Sequence, residues 1–156
     1  MPLPQEASDE TWMRLALRQA LEALEEEEVP VGCVIARDGA LLAQAHNMRE
    51  TLADPTAHAE MIALTQAASS MGTWRLDGTT VYCTLEPCCM CAGAMVNARV
   101  SRLVYGLADP KSGACGSVLN LLQMPELNHR AEVTGGVLTA EVLELMQRFF
   151  EPRRKG

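Results

Sequence analysis

Six cysteines are unevenly placed in this chain: Cys83, Cys88, Cys89 and Cys91 crowd into nine positions, while Cys33 and Cys115 stand apart. A disulfide framework spreads its cysteines to staple distant loops, whereas a cluster of this kind suits one metal ion. The cluster also marks a junction. Thr79 to Thr84 reads as a strand, and Pro87 suits the first position of a helix covering Cys88 to Asn97. Cys88 and Cys91 then share one face at a helix N-terminus, where the dipole and free N–H groups favour thiolate over thiol. The fold must therefore bring the end of a strand and the start of a helix around two converging sulfurs.

A C-x-x-C pair alone also serves structural zinc and redox sites. His58 supplies a further ligand type, in the first turn of a helix expected from about Thr56 to Met71 with Asp54 or Thr56 as its cap. Zinc accepts Cys sulfur and His nitrogen; structural sites close with four protein ligands, while catalytic sites commonly keep three and leave a position for water. His58, Cys88 and Cys91 point to the open kind. A closed cage would need Cys83 or Cys89, and Cys89 adjoins Cys88 and so points elsewhere on the helix. Glu60 lies two residues beyond His58, a spacing that separates side-chain directions on a helix and makes joint ligation awkward. It suits a carboxylate that takes a proton from the metal's water and passes it on. The plainer alternative is a first-turn glutamate favourable to the helix dipole.

Around this centre the chain alternates strands and helices. From Ser8 or Asp9, either a plausible N-cap, Met13, Ala16, Leu17, Ala20, Leu21 and Leu24 recur at helical spacing. Val31 to Ala36 and Leu41 to Ala45 read as two strands joined by a tight Asp38-Gly39 hairpin, the first strand buried on both faces. Val100 to Tyr105 is another strand, Gly113 to Leu122 a partly helical connection, Ala131 to Thr134 a short edge strand, and Thr139 to Phe150 a closing amphipathic helix. This order predicts a layered α/β domain with helices on both faces of the sheet.

The 156 residues fit one domain spanning 1–156, and 48% hydrophobic against 21% charged residues is ordinary globular usage. No basic start precedes an apolar run, and no stretch approaches the roughly 20 apolar residues of a membrane span. A soluble, cytoplasmic protein without membrane association is expected. The net charge of -7 argues against a general polyanion binder. It hides an asymmetry, because Arg148, Arg153, Arg154 and Lys155 face only Glu151 near the end, whereas acids dominate the first 28 residues. The C-terminal end is the expected nucleic-acid contact, and Glu25 to Glu28 read as solvated helix surface.

His58-Ala59-Glu60 followed by Pro87-Cys88-Cys89-Met90-Cys91 matches the signature of zinc nucleobase deaminases. Beyond the signature, Glu28-Val29-Pro30-Val31-Gly32, Asp54-Pro55-Thr56-Ala57, Thr84-Leu85-Glu86 and Ala92-Gly93-Ala94-Met95 extend the likeness. With these segments the chain closely resembles bacterial tRNA-specific adenosine deaminases over nearly its whole length. The resemblance implies a three-layer α/β/α cytidine-deaminase-like fold around a mixed five-stranded sheet, one Zn2+ per subunit, and a homodimer whose partner helps shape the RNA site. It implies that the wobble adenosine of a tRNA anticodon loop is hydrolysed to inosine, a zinc-activated hydroxide attacking C6 with Glu60 as proton shuttle. In that family Asn47 corresponds to a base contact, Asp109 to a residue near the anticodon-loop backbone, and Phe149-Phe150 to Arg153-Arg154 to an RNA-facing helix end.

Each of these has a plainer local reading: Asn47 and Asp109-Pro110 as turn residues, Phe149-Phe150 as core. Residues 123 to 126 read Gln-Met-Pro-Glu where relatives can carry histidine, which leaves contacts there open. Cys33 and Cys89 read as small buried residues rather than ligands. Two rival functions share the motifs: the same chemistry on a free base or nucleotide, and a non-catalytic zinc-stabilised module that holds RNA.

Overall fold

The computed structural model describes residues 8–154; Lys155 of the basic tail lies outside them. Along the chain run α1 (Asp9–Glu25), β1 (Gly32–Arg37), β2 (Ala40–His46), the short α2 (Arg49–Leu52) and α3 (Ala59–Met71). They are followed by β3 (Thr80–Leu85), α4 (Cys89–Ala98), β4 (Arg102–Leu107), a single 3-10 turn at Leu121–Gln123, β5 (Glu132–Thr134) and α5 (Thr139–Arg154). The strands form one mixed sheet in the order β2-β1-β3-β4-β5. β1 is antiparallel to both β2 and β3, while β4 runs parallel to β3 and to β5.

Alternation along the strands sorts the core into two layers. Cys33 and Ile35 of β1, Val81 and Cys83 of β3 and Leu103 of β4 pack with Ala59, Ala63 and Ala67 of α3 and Met95 of α4. Val34, Ala36, Tyr82 and Val104 point the other way, against Trp12, Met13 and Ala16 of α1. The sheet is thus covered on both faces, and β1 is buried at every position before Arg37, as its apolar run predicts. Asp38 and Gly39 both take positive φ (52° and 76°), the conformation a two-residue hairpin requires. Close packing of α1 on β1 depends on Gly32, because a Cβ there would overlap the Ala16 carbonyl.

Several boundaries differ from the sequence reading for local reasons. Helix α3 begins at Ala59 rather than Thr56, because the Asp54 carboxylate accepts the Thr56 N–H (2.8 Å) and hydroxyl (2.7 Å) and holds a turn there. Helix α4 begins at Cys89, with Cys88 as its extended N-cap and Pro87 outside the helix. Helix α5 continues a turn past Phe150, with Pro152 inside it. The expected helical content of residues 113 to 122 is confined to the 3-10 turn. Glu28 is buried at 1% exposure rather than solvated, while Cys89 is exposed rather than buried.

The register brings Leu85, Leu107, Gly32 and His46 to the same edge of the sheet. It is the edge outside the carboxyl ends of the parallel strands, where open α/β sheets place their ligand sites. Both α3 and α4 begin there.

Candidate metal centre and its pocket

His58 and Cys88 are the N-caps of α3 and α4, and each has extended backbone. The His58 N–H donates to the Thr56 carbonyl (2.8 Å), and its own carbonyl accepts from Ile62 (3.1 Å), so the ring is held at the first turn. The Cys88 carbonyl likewise accepts from Ala92 at 2.9 Å. These two caps, with Cys91 in the first turn of α4, bring one nitrogen and two sulfurs within 4.8 Å of one another. His58 Nδ1 lies 3.6 Å from Cys88 Sγ and 3.5 Å from Cys91 Sγ.

Those separations can be tested against an ion. Metal–ligand lengths of about 2.3 Å to sulfur and about 2.0–2.1 Å to nitrogen, at a tetrahedral angle, require an S···N separation of about 3.6 Å. The structure matches it with both sulfurs, so His58, Cys88 and Cys91 are positioned to hold one metal ion. Among the described residues no other cluster of three metal-ligating side chains occurs. Cys83 lies instead against Cys33, with sulfurs 3.5 Å apart across β1 and β3, and Cys89 is exposed, so neither closes a fourth position.

The three donors share protons unequally. A hydrogen bond from Cys91, with help from His58, lowers the Cys88 thiol to about 3. The same contact and burial push Cys91 up. His58 is raised by its hydrogen bond to Cys88. Glu60 is 4% exposed, and burial raises its carboxyl above the ordinary value. A cation at this point would draw both sulfurs toward thiolate and favour an ionised Glu60.

The centre opens on a cavity of about 220 Å³ lined by Asn47, Arg49, His58, Glu60, Glu86, Cys88, Asp109 and Ser112. That lies below the range of about 300–1,000 Å³ typical of drug-sized ligands and suits a single ring system. Two buried carboxylates hold its rim. Glu28 accepts the Glu50 N–H (3.1 Å) and both the N–H and hydroxyl of Thr51 (2.6 Å each), fixing α2 and with it Arg49. Glu86 receives three backbone N–H groups, from Asp109 (3.0 Å), Cys115 (3.0 Å) and Ser117 (3.1 Å), and the Ser117 hydroxyl. In both, burial favours the neutral acid but the donors together outweigh it, leaving the carboxyl below its ordinary value.

Comparison with known proteins fits this geometry. Residues 7–154 match the family model of MafB19-like deaminases. A tRNA-specific adenosine deaminase of Bacillus subtilis is 48% identical over 147 residues, covering 94% of this chain and 91% of the relative. Another, from Aquifex aeolicus, is 43% identical and covers 94% and 97%. The chain belongs to the tRNA-specific adenosine deaminase family. A solved structure from a study of A-to-I editing by tRNA:A34 deaminases at the wobble position of transfer RNA superposes with a TM-score of 0.83. It is 42% identical, and the match covers 86% of this chain and 97% of that one. The three-layer cytidine-deaminase-like fold inferred for a tRNA-specific adenosine deaminase is therefore the fold observed.

The residues assigned by likeness to the family fall in two places. Asn47 is 5% exposed and borders the metal pocket; its amide donates to the Val29 carbonyl (3.4 Å) and its carbonyl accepts the Arg49 N–H (3.2 Å). Asp109 also borders the pocket, while its carboxylate accepts the N–H groups of Lys111 (3.0 Å) and Ser112 (3.2 Å), the turn chemistry its Asp-Pro sequence suggests. Phe149 and Arg153 line a neighbouring groove of about 530 Å³ that shares Val29, Asn47 and Arg49 with the pocket. There the Arg153 guanidinium sits 3.6 Å from the centre of the Phe149 ring; Phe149 is buried and Phe150 is exposed, so the core reading holds for Phe149 and not for Phe150. Glu26, Glu27, Glu28 and Glu50 line the same groove, so phosphate is disfavoured along much of it. Arg49, Ser112, Glu28 and Glu86 went unassigned in the sequence. Glu28 and Glu86 stand inside quoted family segments, but only the fold shows what their carboxylates hold.

Proposed function

We propose that this chain is one deaminase domain spanning residues 1–156 that hydrolyses the wobble adenosine of a tRNA anticodon to inosine. The convergence of His58, Cys88 and Cys91 at tetrahedral spacing beside buried Glu60, which is not among the three donors, carries the deaminase chemistry, and the substrate is supported by the likeness to tRNA-specific adenosine deaminases. Zinc is the ion these donors suit, and when bound it supplies a water acidic enough to ionise near neutrality.

Glu60 is the proton carrier. It takes one proton of the attacking water and delivers it to N1 of adenine as C6 becomes tetrahedral. It then takes the second proton from the new C6 hydroxyl and hands it to the amine, so that the C6 carbonyl forms as the C6–N bond breaks and ammonia leaves. Asn47, with both donor and acceptor groups held at the pocket wall, orients the base. The pocket accepts one ring system, so the adenosine enters extruded from its loop; unpaired loop bases can be splayed out at modest cost. Asp109 borders the entrance near the loop backbone, and Phe149 and Arg153 form a surface for a flanking nucleotide. A homodimer in the cytoplasm is the expected working form; the free cysteines fit a reducing compartment. No described helix is long and apolar enough to cross a membrane.

The test is incubation of zinc-loaded protein with an anticodon stem-loop carrying adenosine at the wobble position, and separately with free adenine, adenosine, cytosine, cytidylate and guanine. Inosine in the stem-loop, with little ammonia from the free compounds, is expected. Turnover confined to free bases or nucleotides would overturn the substrate.

A further inference from the structure

Glu86 sits between the end of β3 and Pro87-Cys88 and is 2% exposed. Its two carboxylate oxygens are taken up by one segment. Oε1 accepts the Asp109 N–H and the Ser117 hydroxyl, and Oε2 accepts the N–H groups of Cys115 and Ser117. Gly113 lies against the same carboxylate, where any Cβ would overlap it. The next carbonyl, that of Pro87, accepts the Ala114 N–H at 2.9 Å.

Residues 109–117 belong to no helix or strand, so these bonds replace the ladder that a regular element would give them. The segment is suspended from the two residues that immediately precede Cys88. It also presents Asp109 and Ser112 to the pocket containing His58 and Glu60.

We propose that Glu86 is a positioning residue for RNA binding, holding Asp109 and Ser112 in the pocket wall and tying them to the start of α4. The proposal rests on the tRNA deaminase reading above. Glutamine fills the same space but replaces one acceptor oxygen by an NH2 group, which then faces N–H donors. The cost of leaving a buried donor unpaired is about 1–3 kcal/mol, or about tenfold or more in an equilibrium it controls.

The experiment compares wild type, Glu86→Gln, Ser117→Ala, Asp109→Ala and the Glu86→Gln/Asp109→Ala double variant, all zinc-loaded, on an anticodon stem-loop. Wild-type turnover comes first, since its absence would overturn the tRNA reading and, with it, a role for Glu86 in RNA binding, whereas the variants test Glu86 alone. With turnover present, Glu86→Gln is expected to raise the stem-loop Kd and KM about tenfold at wild-type zinc content. The double variant should bind no more weakly than the weaker single, because Glu86 acts through Asp109 and through the Ser112 turn that the Asp109 carboxylate holds. Ser117→Ala keeps three of the four donors and should shift Kd in the same direction by a smaller factor, which decides the matter if Glu86→Gln does not fold. Unchanged Kd in the folded variants, multiplicative losses in the double variant, or loss of zinc in step with RNA binding would each overturn the proposal.

Discussion

Glu60 stands beside the three donors and not among them. It lies two positions beyond the His58 N-cap and is excluded from the three-donor set, yet it is buried in the same pocket. Burial raises its carboxyl above the ordinary value, and a cation beside it would act in the opposite sense. Glutamine keeps the size but cannot carry the proton. Glu60→Gln is therefore expected to retain one zinc per chain, measured by metal analysis, and to lose about 10²–10⁴ in kcat on the stem-loop. Gly32 makes a second residue-scale case, with no chemistry involved. A Cβ would overlap the Ala16 carbonyl and crowd the Ala20 N–H on α1, so Gly32→Ala must push the helix off the sheet. The expected loss is about 1–3 kcal/mol by urea unfolding, the range of overpacked cores.

At the scale of elements, α1 is fastened to the sheet by a part-buried ion pair as well as by Trp12 and Met13. Arg102 of β4 donates to both oxygens of Asp9 at 2.7 Å, and Tyr82 of β3 reaches the same carboxylate at 3.3 Å. The hydrogen bond from Arg102 is the largest influence on Asp9 and lowers its carboxyl below 3.8 despite burial. A depressed folded-state value means that the stabilisation is fully present above 3.8 and is lost as pH falls through the lower folded value. Arg102→Met should thus cost about 1–2 kcal/mol at pH 7, a difference that narrows in urea titrations as pH drops below 4. This pair was not legible in the sequence, because Asp9 and Arg102 are 93 positions apart and each reads as an ordinary surface charge. What was legible is local. The apolar run of β1, the Asp38-Gly39 turn and the helix starting near Cys88 follow from neighbouring residues. Glu28 was illegible for the same reason: it ends a run of four glutamates that is otherwise solvent-facing, and the donors that hold its carboxylate, at Glu50 and Thr51, lie 22 and 23 positions along the chain.

Taken as a whole, the molecule places the three side chains positioned to hold a metal on two helices that approach the sheet edge from different parts of the chain, His58 opening α3 and Cys88 and Cys91 opening α4. The donor types and their order could be read from the sequence; their common point could not, since it depends on β3 lying beside β1 and on the register that aligns Leu85 with Gly32's end of the sheet. An ion at that point would tie the starts of the two helices together and would be bound by the folded chain far better than by the unfolded one. Its contribution is set by mass action, about 4 kcal/mol when free metal exceeds Kd by about 1,000-fold. For a chain of this size each kcal/mol moves Tm by about 2–4 °C, so stripping the metal should lower Tm by about 8–16 °C. The effect also has a pH sign, because the ion competes with protons for the two sulfurs and the imidazole, and its stabilisation weakens as pH falls. Thermal unfolding with and without chelator, at neutral and at mildly acid pH, measures both. Cys91→Ala removes one of three donors, and its Tm should respond little to either chelator or added zinc; a full metal-dependent shift in that variant would show that the ion is held elsewhere.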